Sequence, residues 1–226
     1  MTSIYIVGTP IGNLQDITFR AIEILRNVDF VLAEDTRKTK VLLEYYKINK
    51  PIISYHQHST EAKVSHIVNL LKSNQNLALV TDAGTPGVSD PGNHLLDALW
   101  QKKLNGLNVD IIPIPGASSV TTILSVCGFP TDDFLFLGFL PKKKGRETLL
   151  KSLRQEKRTI VIFESPYRVV KSLENIEKFL GNIDVVIGRE LTKKFEEILR
   201  GKLKDVVKYL KRKNPKGEFV VVLNNR

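Results

Sequence analysis

Cysteine is nearly absent: Cys127 is the only one in 226 residues. No intrachain disulfide can form, and a cysteine-based zinc site is excluded. A reducing, cytoplasmic setting suits such a chain. Long apolar runs are missing as well. The stretch from Val120 to Phe129 is broken by Thr, Ser and Gly, far short of the ~20 residues that a membrane span needs. The expectation is therefore a protein with no membrane partner. The opening Met1-Thr2-Ser3-Ile4-Tyr5-Ile6-Val7 lacks the basic start and long apolar core of a signal peptide and reads as a strand. With 14 Gly and 10 Pro, the chain is too poor in both for a collagenous or low-complexity segment. Neither G-x-x-x-x-G-K-[ST] nor G-x-G-x-x-G occurs, which argues against a P-loop NTPase and a standard dinucleotide dehydrogenase.

What is present is an ordinary globular balance, 42% hydrophobic and 26% charged. The charge is unevenly placed. Residues 1–115 hold 11 Lys and Arg against 11 Asp and Glu, whereas the rest hold 23 against 13, so the whole excess of +10 lies there. A basic half invites an anionic partner, nucleic acid first. Lys142, Lys143, Lys144 and Arg146 open a window to Arg158 with eight Lys and Arg and two Glu. Lys193 to Lys216 has ten against three. Phe195 and Tyr209 are the only aromatics in the second window, which favours phosphate contacts over base stacking.

Strand and helix periodicities alternate along the chain. Ile4–Gly8, Phe30–Ala33, Ile52–Ile53, Leu77–Thr81 and Val109–Ile114 read as strands. Helices are predicted behind Asp16 and Thr36 as caps, then through Val64–Leu71 and His94–Lys103. Pro113-Ile114-Pro115-Gly116 breaks this rhythm where the charge shifts, predicting an N-terminal α/β domain over 1–115 and a basic α/β domain over 116–226. The second half reads as a helix over Ala117–Cys127, a strand over Phe134–Phe139, a basic helix near 144–156, a strand over Thr159–Phe163 and a helix over Val169–Leu180. A strand over Val185–Gly188, a helix around 203–213 and a last strand over Phe219–Leu223 follow.

Three Gly-containing loops follow predicted strands: Gly8-Thr9-Pro10-Ile11-Gly12-Asn13, Asp82-Ala83-Gly84-Thr85-Pro86-Gly87-Val88-Ser89-Asp90-Pro91-Gly92, and Pro115-Gly116-Ala117-Ser118-Ser119. Ligands of open α/β sheets gather beyond the carboxyl ends of strands, and glycine lets backbone approach them closely. The loops predict a small-molecule pocket lined by backbone. Isolated Gly-Pro clusters are ordinary turns, but three Gly in the eleven residues of the second loop are dense for a simple connection.

The same loops, with Ala33-Glu34-Asp35-Thr36-Arg37, Gly138-Phe139-Leu140-Pro141, Phe163-Glu164-Ser165-Pro166-Tyr167-Arg168 and Arg189-Glu190-Leu191-Thr192-Lys193, form collinear phrases from residue 4 to about 223. Together they resemble the ribosomal RNA small subunit methyltransferase I family of the tetrapyrrole methylase superfamily. The resemblance implies an α/β, two-domain tetrapyrrole methylase-like fold with the cofactor cleft between the domains. It also implies S-adenosylmethionine as cofactor, 2′-O-methylation of a cytidine ribose in 16S rRNA of the small ribosomal subunit, and a homodimer. Two departures stand out. Longer members carry a further basic helical segment beyond the Gly217-Glu218-Phe219-Val220 strand, and the family's His-x-His-Asn-Glu run reads here His56-Gln57-His58-Ser59-Thr60, with Glu61 one place later.

On this basis the cofactor is expected against Gly8, Pro10, Asp82, Gly84, Thr85, Ser89, Pro115, Gly116, Ala117 and Ser118, with Gly217 from the second half. A ribose hydroxyl is a poor nucleophile, so positioning and a nearby base must supply the rate. Glu34, Asp35 and Glu164 are the candidate bases. Asp35, Arg37, Glu164 and Arg168 are taken as the catalytic set, the arginines gripping phosphate in a bidentate fork. Carboxylates beside arginine have lowered pKa values, which makes them weak bases and suits them to orientation. Lys142, Lys143, Lys144 and Arg146 are expected to contact RNA. No metal is expected, because His56 and His58 lack a third ligand at suitable spacing. Two other readings stay open: a small-molecule methylase of the same fold, acting on a corrin or porphyrin precursor or resembling diphthine synthase, and an RNA-binding module without catalysis.

Overall fold

The computed structural model describes residues 2–56, 58–90, 92–214 and 216–225. Gln57 and Pro91, part of the phrases above, lie outside the described residues. The chain divides into two units, Met1–Ser118 and Ser119–Arg226.

The first unit is built on a five-stranded sheet in the order β3-β2-β4-β1-β5. Its strands are β1 (Thr2–Val7), β2 (Phe30–Ala33), β3 (Ile52–Ser54), β4 (Leu77–Leu79) and β5 (Val109–Ile114). All pairings are parallel. Parallel strands covered on both faces need apolar residues on both, which is why Phe-Val-Leu-Ala and Leu-Ala-Leu are unbroken runs. Helices α1 (Phe19–Asn27) and α2 (Thr36–Tyr45) share one core with Val7, Val31, Ala33 and Ile114. Helices α3 (Glu61–Lys72) and α4 (Asn93–Leu104) share another with Ile4, Leu32, Leu77 and Leu79.

The predicted caps shift by one or two residues. Asp16 ends a short 3-10 turn, Leu14–Asp16, and Ile17 stays extended, so α1 starts later. Thr18 caps it, its hydroxyl accepting from the Ala21 amide at 3.1 Å. Asp35, rather than Thr36, caps α2 by accepting from the Arg37 amide.

The second unit carries a mixed sheet in the order β6-β7-β10-β8-β9. The strands are β6 (Phe134–Phe139), β7 (Thr159–Glu164), β8 (Asp184–Arg189), β9 (Glu197–Lys202) and β10 (Phe219–Asn224). β6 and β7 are parallel, and the other pairs are antiparallel. One face packs on α6 (Arg146–Ser152), α7 (Val169–Leu180) and α8 (Leu203–Lys213), through Ile160, Ile162, Val185, Ile187, Val221 and Leu223. The opposite parity meets α5 (Ser119–Cys127): a Cβ on Gly188 would stand 2.9 Å from the Ile123 Cδ1 methyl.

Sequence reasoning did not find β9. Its half-buried and exposed residues alternate along the strand, but Glu-Ile-Leu-Arg-Gly-Lys puts its two large apolar residues side by side. At a sheet edge, charged side chains are tolerated and even useful, so the strand carries no apolar signature. The predicted basic helix near 144–156 is shorter, ending at Ser152 before a 3-10 turn, Leu153–Gln155.

Candidate active site

In the first unit, the chain leaves β1 towards β2 on the face of α1 and leaves β4 towards β5 on the face of α4. Neighbouring strands whose connections depart to opposite faces leave a crevice at their carboxyl ends. The loops following β1 and β4 lie at that crevice. Thr9 and Gly84 exchange backbone hydrogen bonds, Thr9 N to Gly84 O at 2.9 Å and Gly84 N to Thr9 O at 3.1 Å. The Thr9 hydroxyl also donates to the Thr81 carbonyl at 3.1 Å.

The third loop joins them through two glycines. A Cβ on Gly8 would stand 2.8 Å from Gly116 N, and one on Gly116 would stand 2.7 Å from Gly8 O. Both contacts are to backbone, which cannot swing aside. Gly84 has φ +84°, and its open side faces Ile11 and the Ala117 carbonyl. Gly8, Gly84, Gly116 and Ala117 of the expected cofactor set are thus gathered at one place. Pro10 is buried in the same loop, Asp82, Thr85 and Ser118 are partly exposed, and Pro115 is exposed. Ser89 adopts φ +60°, a left-handed conformation that costs a non-glycine residue of order 1 kcal/mol and collects at functional loops.

Carboxylates line the neighbouring strand ends. The Asp35 amide donates to Asp82 Oδ1 at 3.0 Å, and Lys38 reaches Asp82 Oδ2 at 2.7 Å. Asp35 itself is gripped by Arg37, Nε to Oδ1 at 3.0 Å and Nη2 to Oδ2 at 2.8 Å. These bonds pull its pKa down to about 2, so it is a poor proton acceptor at neutral pH. Arg37 remains 89% exposed and turns its outer edge to solvent. Glu34 differs. Burial first, then the Asp82 and Asp90 charges, raise its pKa above the ordinary carboxyl value, against the opposing pull of Lys38 and of the Thr81 hydroxyl.

Glu164 and Arg168, the other half of the expected catalytic set, lie in the second unit and form a structural knot. The Glu164 carboxylate has no exposed surface. It accepts from the Ser165 amide at 2.9 Å and from the Ser172 hydroxyl, and pairs with Arg168 Nε at 3.2 Å. Arg168 also donates to the Leu140 carbonyl at 2.7 Å. A carboxylate sealed in this way holds its neighbours in place and cannot meet a substrate hydroxyl.

Arg146, expected at the RNA, turns its guanidinium inward, donating to the Pro141 carbonyl at 3.1 Å and the Ser172 hydroxyl at 2.8 Å, and so joins the same knot. Lys142, Lys143 and Lys144 do stand exposed. Gly217, expected at the cofactor, has φ +94°, and a Cβ there would come within 2.4 Å of Glu190 Cγ. It gives room to Glu190, which accepts from the Glu218 amide at 2.9 Å and pairs with Lys193 at 2.9 Å.

His56 and His58 occupy the turn after β3, their ring centroids 6.2 Å apart, with the His58 amide donating to His56 Nδ1 at 3.2 Å. No metal-binding cluster exists among the described residues. Sequence reasoning missed Thr81 and Lys38. The one available signal was the spacing of Lys38 four residues after Glu34.

The sequence profile of the tetrapyrrole (corrin/porphyrin) methylases matches residues 3–207. The chain is 46% identical to the ribosomal RNA small subunit methyltransferase I of Thermotoga maritima, over 100% of both chains. It is 44% identical to that of a Synechocystis species, over 99% of this chain and 79% of that one. Among solved structures, a diphthine synthase superposes with a TM-score of 0.75 at 17% identity, covering 99% of this chain and 90% of that chain. A cobalt precorrin-4 methyltransferase superposes at 0.70 and 18%, covering 98% and 94%. These last two likenesses show the fold. With a family profile across most of its length and a full-length relative at 46% identity, the chain belongs to the ribosomal RNA small subunit methyltransferase I family within the tetrapyrrole methylases.

Proposed function

We propose that this protein transfers a methyl group from S-adenosylmethionine to the 2′-hydroxyl of a cytidine in 16S rRNA of the small ribosomal subunit. The observation that carries this reading is the convergence of the three loops beyond β1, β4 and β5 in a chain 46% identical to a ribosomal RNA methyltransferase. The residues fit the donor. A nucleoside-type ligand wants an apolar cleft with a few polar anchors, and here backbone groups flank Ile11 and the short side chains of Ala117 and Ser118, with the Asp82 carboxylate nearby. Gly8, Pro10, Asp82, Gly84, Thr85, Ser89, Pro115, Gly116, Ala117 and Ser118 would hold it. When bound, it supplies an electrophilic methyl group on sulfur.

The chain's own residues then position the RNA. The Asp35–Arg37 fork presents a rigid, exposed guanidinium suited to a phosphate. Lys142, Lys143 and Lys144 add phosphate contacts. Glu164 and Arg168 act as positioning residues that fix the Leu140-Pro141 segment just ahead of these lysines. The excess of +10 in residues 116–226 favours RNA over a tetrapyrrole precursor as the acceptor. No helix among the described residues is long and apolar enough to cross a membrane. A cytoplasmic homodimer completes the reading, and sedimentation equilibrium of the purified protein should return twice the monomer mass.

The decisive experiment offers radiolabelled S-adenosylmethionine with purified 30S subunits and, separately, with tetrapyrrole precursors. Label should enter 16S rRNA at one cytidine ribose and resist alkaline hydrolysis there. Label in the precursors alone would assign the protein to small-molecule methylation, and no transfer to either acceptor would favour a module that only binds.

A further inference from the structure

We propose that the Glu34 carboxylate accepts the proton of the acceptor hydroxyl as that hydroxyl takes the methyl group. This rests on the methyl-transfer reading above and names the group that completes it. In the step, a lone pair of the hydroxyl oxygen forms the new O–CH3 bond while the CH3–S bond of the sulfonium breaks. The sulfur keeps that bonding pair and leaves as the neutral thioether. The hydroxyl proton passes to Glu34 and then to water. Atoms and charge balance without any further reactant.

Three observations lead to Glu34. The first is its place. β2 pairs with β4 in register, Leu32 opposite Leu79, and the Val80 amide donates to the Leu32 carbonyl at 2.9 Å. Two residues further on, Glu34 therefore runs alongside Thr81, whose backbone is bonded to the glycine loop through Thr9. Glu34 is thus set at the strand end next to the crevice and is half-buried.

The second is that Asp35, Asp82 and Glu164 are already engaged. Asp35 is held by two bonds from Arg37, Asp82 by Lys38 and the Asp35 amide, and Glu164 is sealed within the second unit. The buried Thr81 hydroxyl is the polar side chain that acts on Glu34 from the end of β4, and it favours the charged carboxylate.

The third is the electrostatic setting. The groups facing Glu34 are Asp82 and Asp90 from the segment after β4, Lys38 from α2, and Thr81. Two anions and partial burial outweigh one cation that is already bonded to Asp82, so proton uptake is favoured relative to an exposed glutamate. A general base works best when its pKa approaches the working pH.

The test is single-turnover methylation of 30S subunits at saturating cofactor, from pH 5 to 9, by the full-length protein. In the parent, the rate should fall on the acid side with a limb above the ordinary carboxyl value of 4.5. Glu34→Gln should lose about 10²–10³-fold in rate, as expected for removal of a general base, and its acid limb should vanish. Glu34→Asp should restore part of the rate together with the limb. S-adenosylmethionine affinity by calorimetry and 30S affinity by filter binding should stay within twofold in both variants, which also reports that they are folded. A Glu34→Gln protein that keeps the parental rate, or keeps the acid limb, overturns the proposal while leaving the methyltransferase reading intact. A parent that methylates no 30S subunit overturns both.

Discussion

Gly8 and Gly116 show how much one missing side chain can decide. Neither has a positive φ, so conformational freedom is not the reason for them. They are glycine because two backbones touch. Gly116→Ala would force a methyl group to 2.7 Å from the Gly8 carbonyl and push two of the three loops apart. We expect calorimetry to show at least tenfold weaker S-adenosylmethionine binding. An unchanged affinity would mean that the loops do not hold the donor. Glu34 makes the opposite point, a residue that costs stability. Its pKa is raised in the folded state, so the unfolded chain releases the proton first as pH rises. The penalty is absent below the ordinary value of 4.5, grows as pH climbs to the folded value, and is complete above it. Glu34→Gln should therefore melt higher than the parent at pH 7, and the difference should close on acidification to pH 4. Proteins often carry such destabilising groups where chemistry needs them.

Among the elements, the segment between β6 and α6 divides its basic residues between two tasks. Gly145, at φ +81°, caps α6 and separates the exposed Lys142-Lys143-Lys144 run from Arg146, which turns inward to Ser172. Charge counting along the sequence cannot separate them, because outward and inward cations look alike in a string of letters. The structure predicts different phenotypes. Replacing the three lysines by glutamine should weaken 30S binding and flatten its dependence on salt by up to three counterions, with the melting temperature unchanged. Arg146→Gln should lower the melting temperature instead, because it removes donors from a buried network. Binding measured between 50 and 300 mM salt checks the first expectation and thermal unfolding the second. β9 belongs to the same lesson. An edge strand needs little apolar surface, so Glu197–Lys202 left no pattern to read until β8 was in place beside it.

At the scale of the whole molecule, the sequence by itself determined the order of the elements. Apolar runs marked β5, β6 and α7 at both ends and β1 to within two residues, because burial on both faces or on one stripe leaves a periodic trace. The backbone-lined loops after β1, β4 and β5 were legible too, since glycine density reports close approach even before the partner is known. So was the charge asymmetry, which is a sum and needs no coordinates. What only the tertiary structure decided is which side chains are free to react. Asp35, Glu34 and Glu164 are equivalent as letters. Folding ties the first to Arg37, leaves the second next to a crevice among anions, and seals the third beneath Arg168 and Ser172. Proton affinity depends on desolvation and on charges within a few ångströms. Most of the groups that set it for Glu34 lie some 50 residues away, on the segment after β4, and proximity of that kind exists only once the sheet has formed.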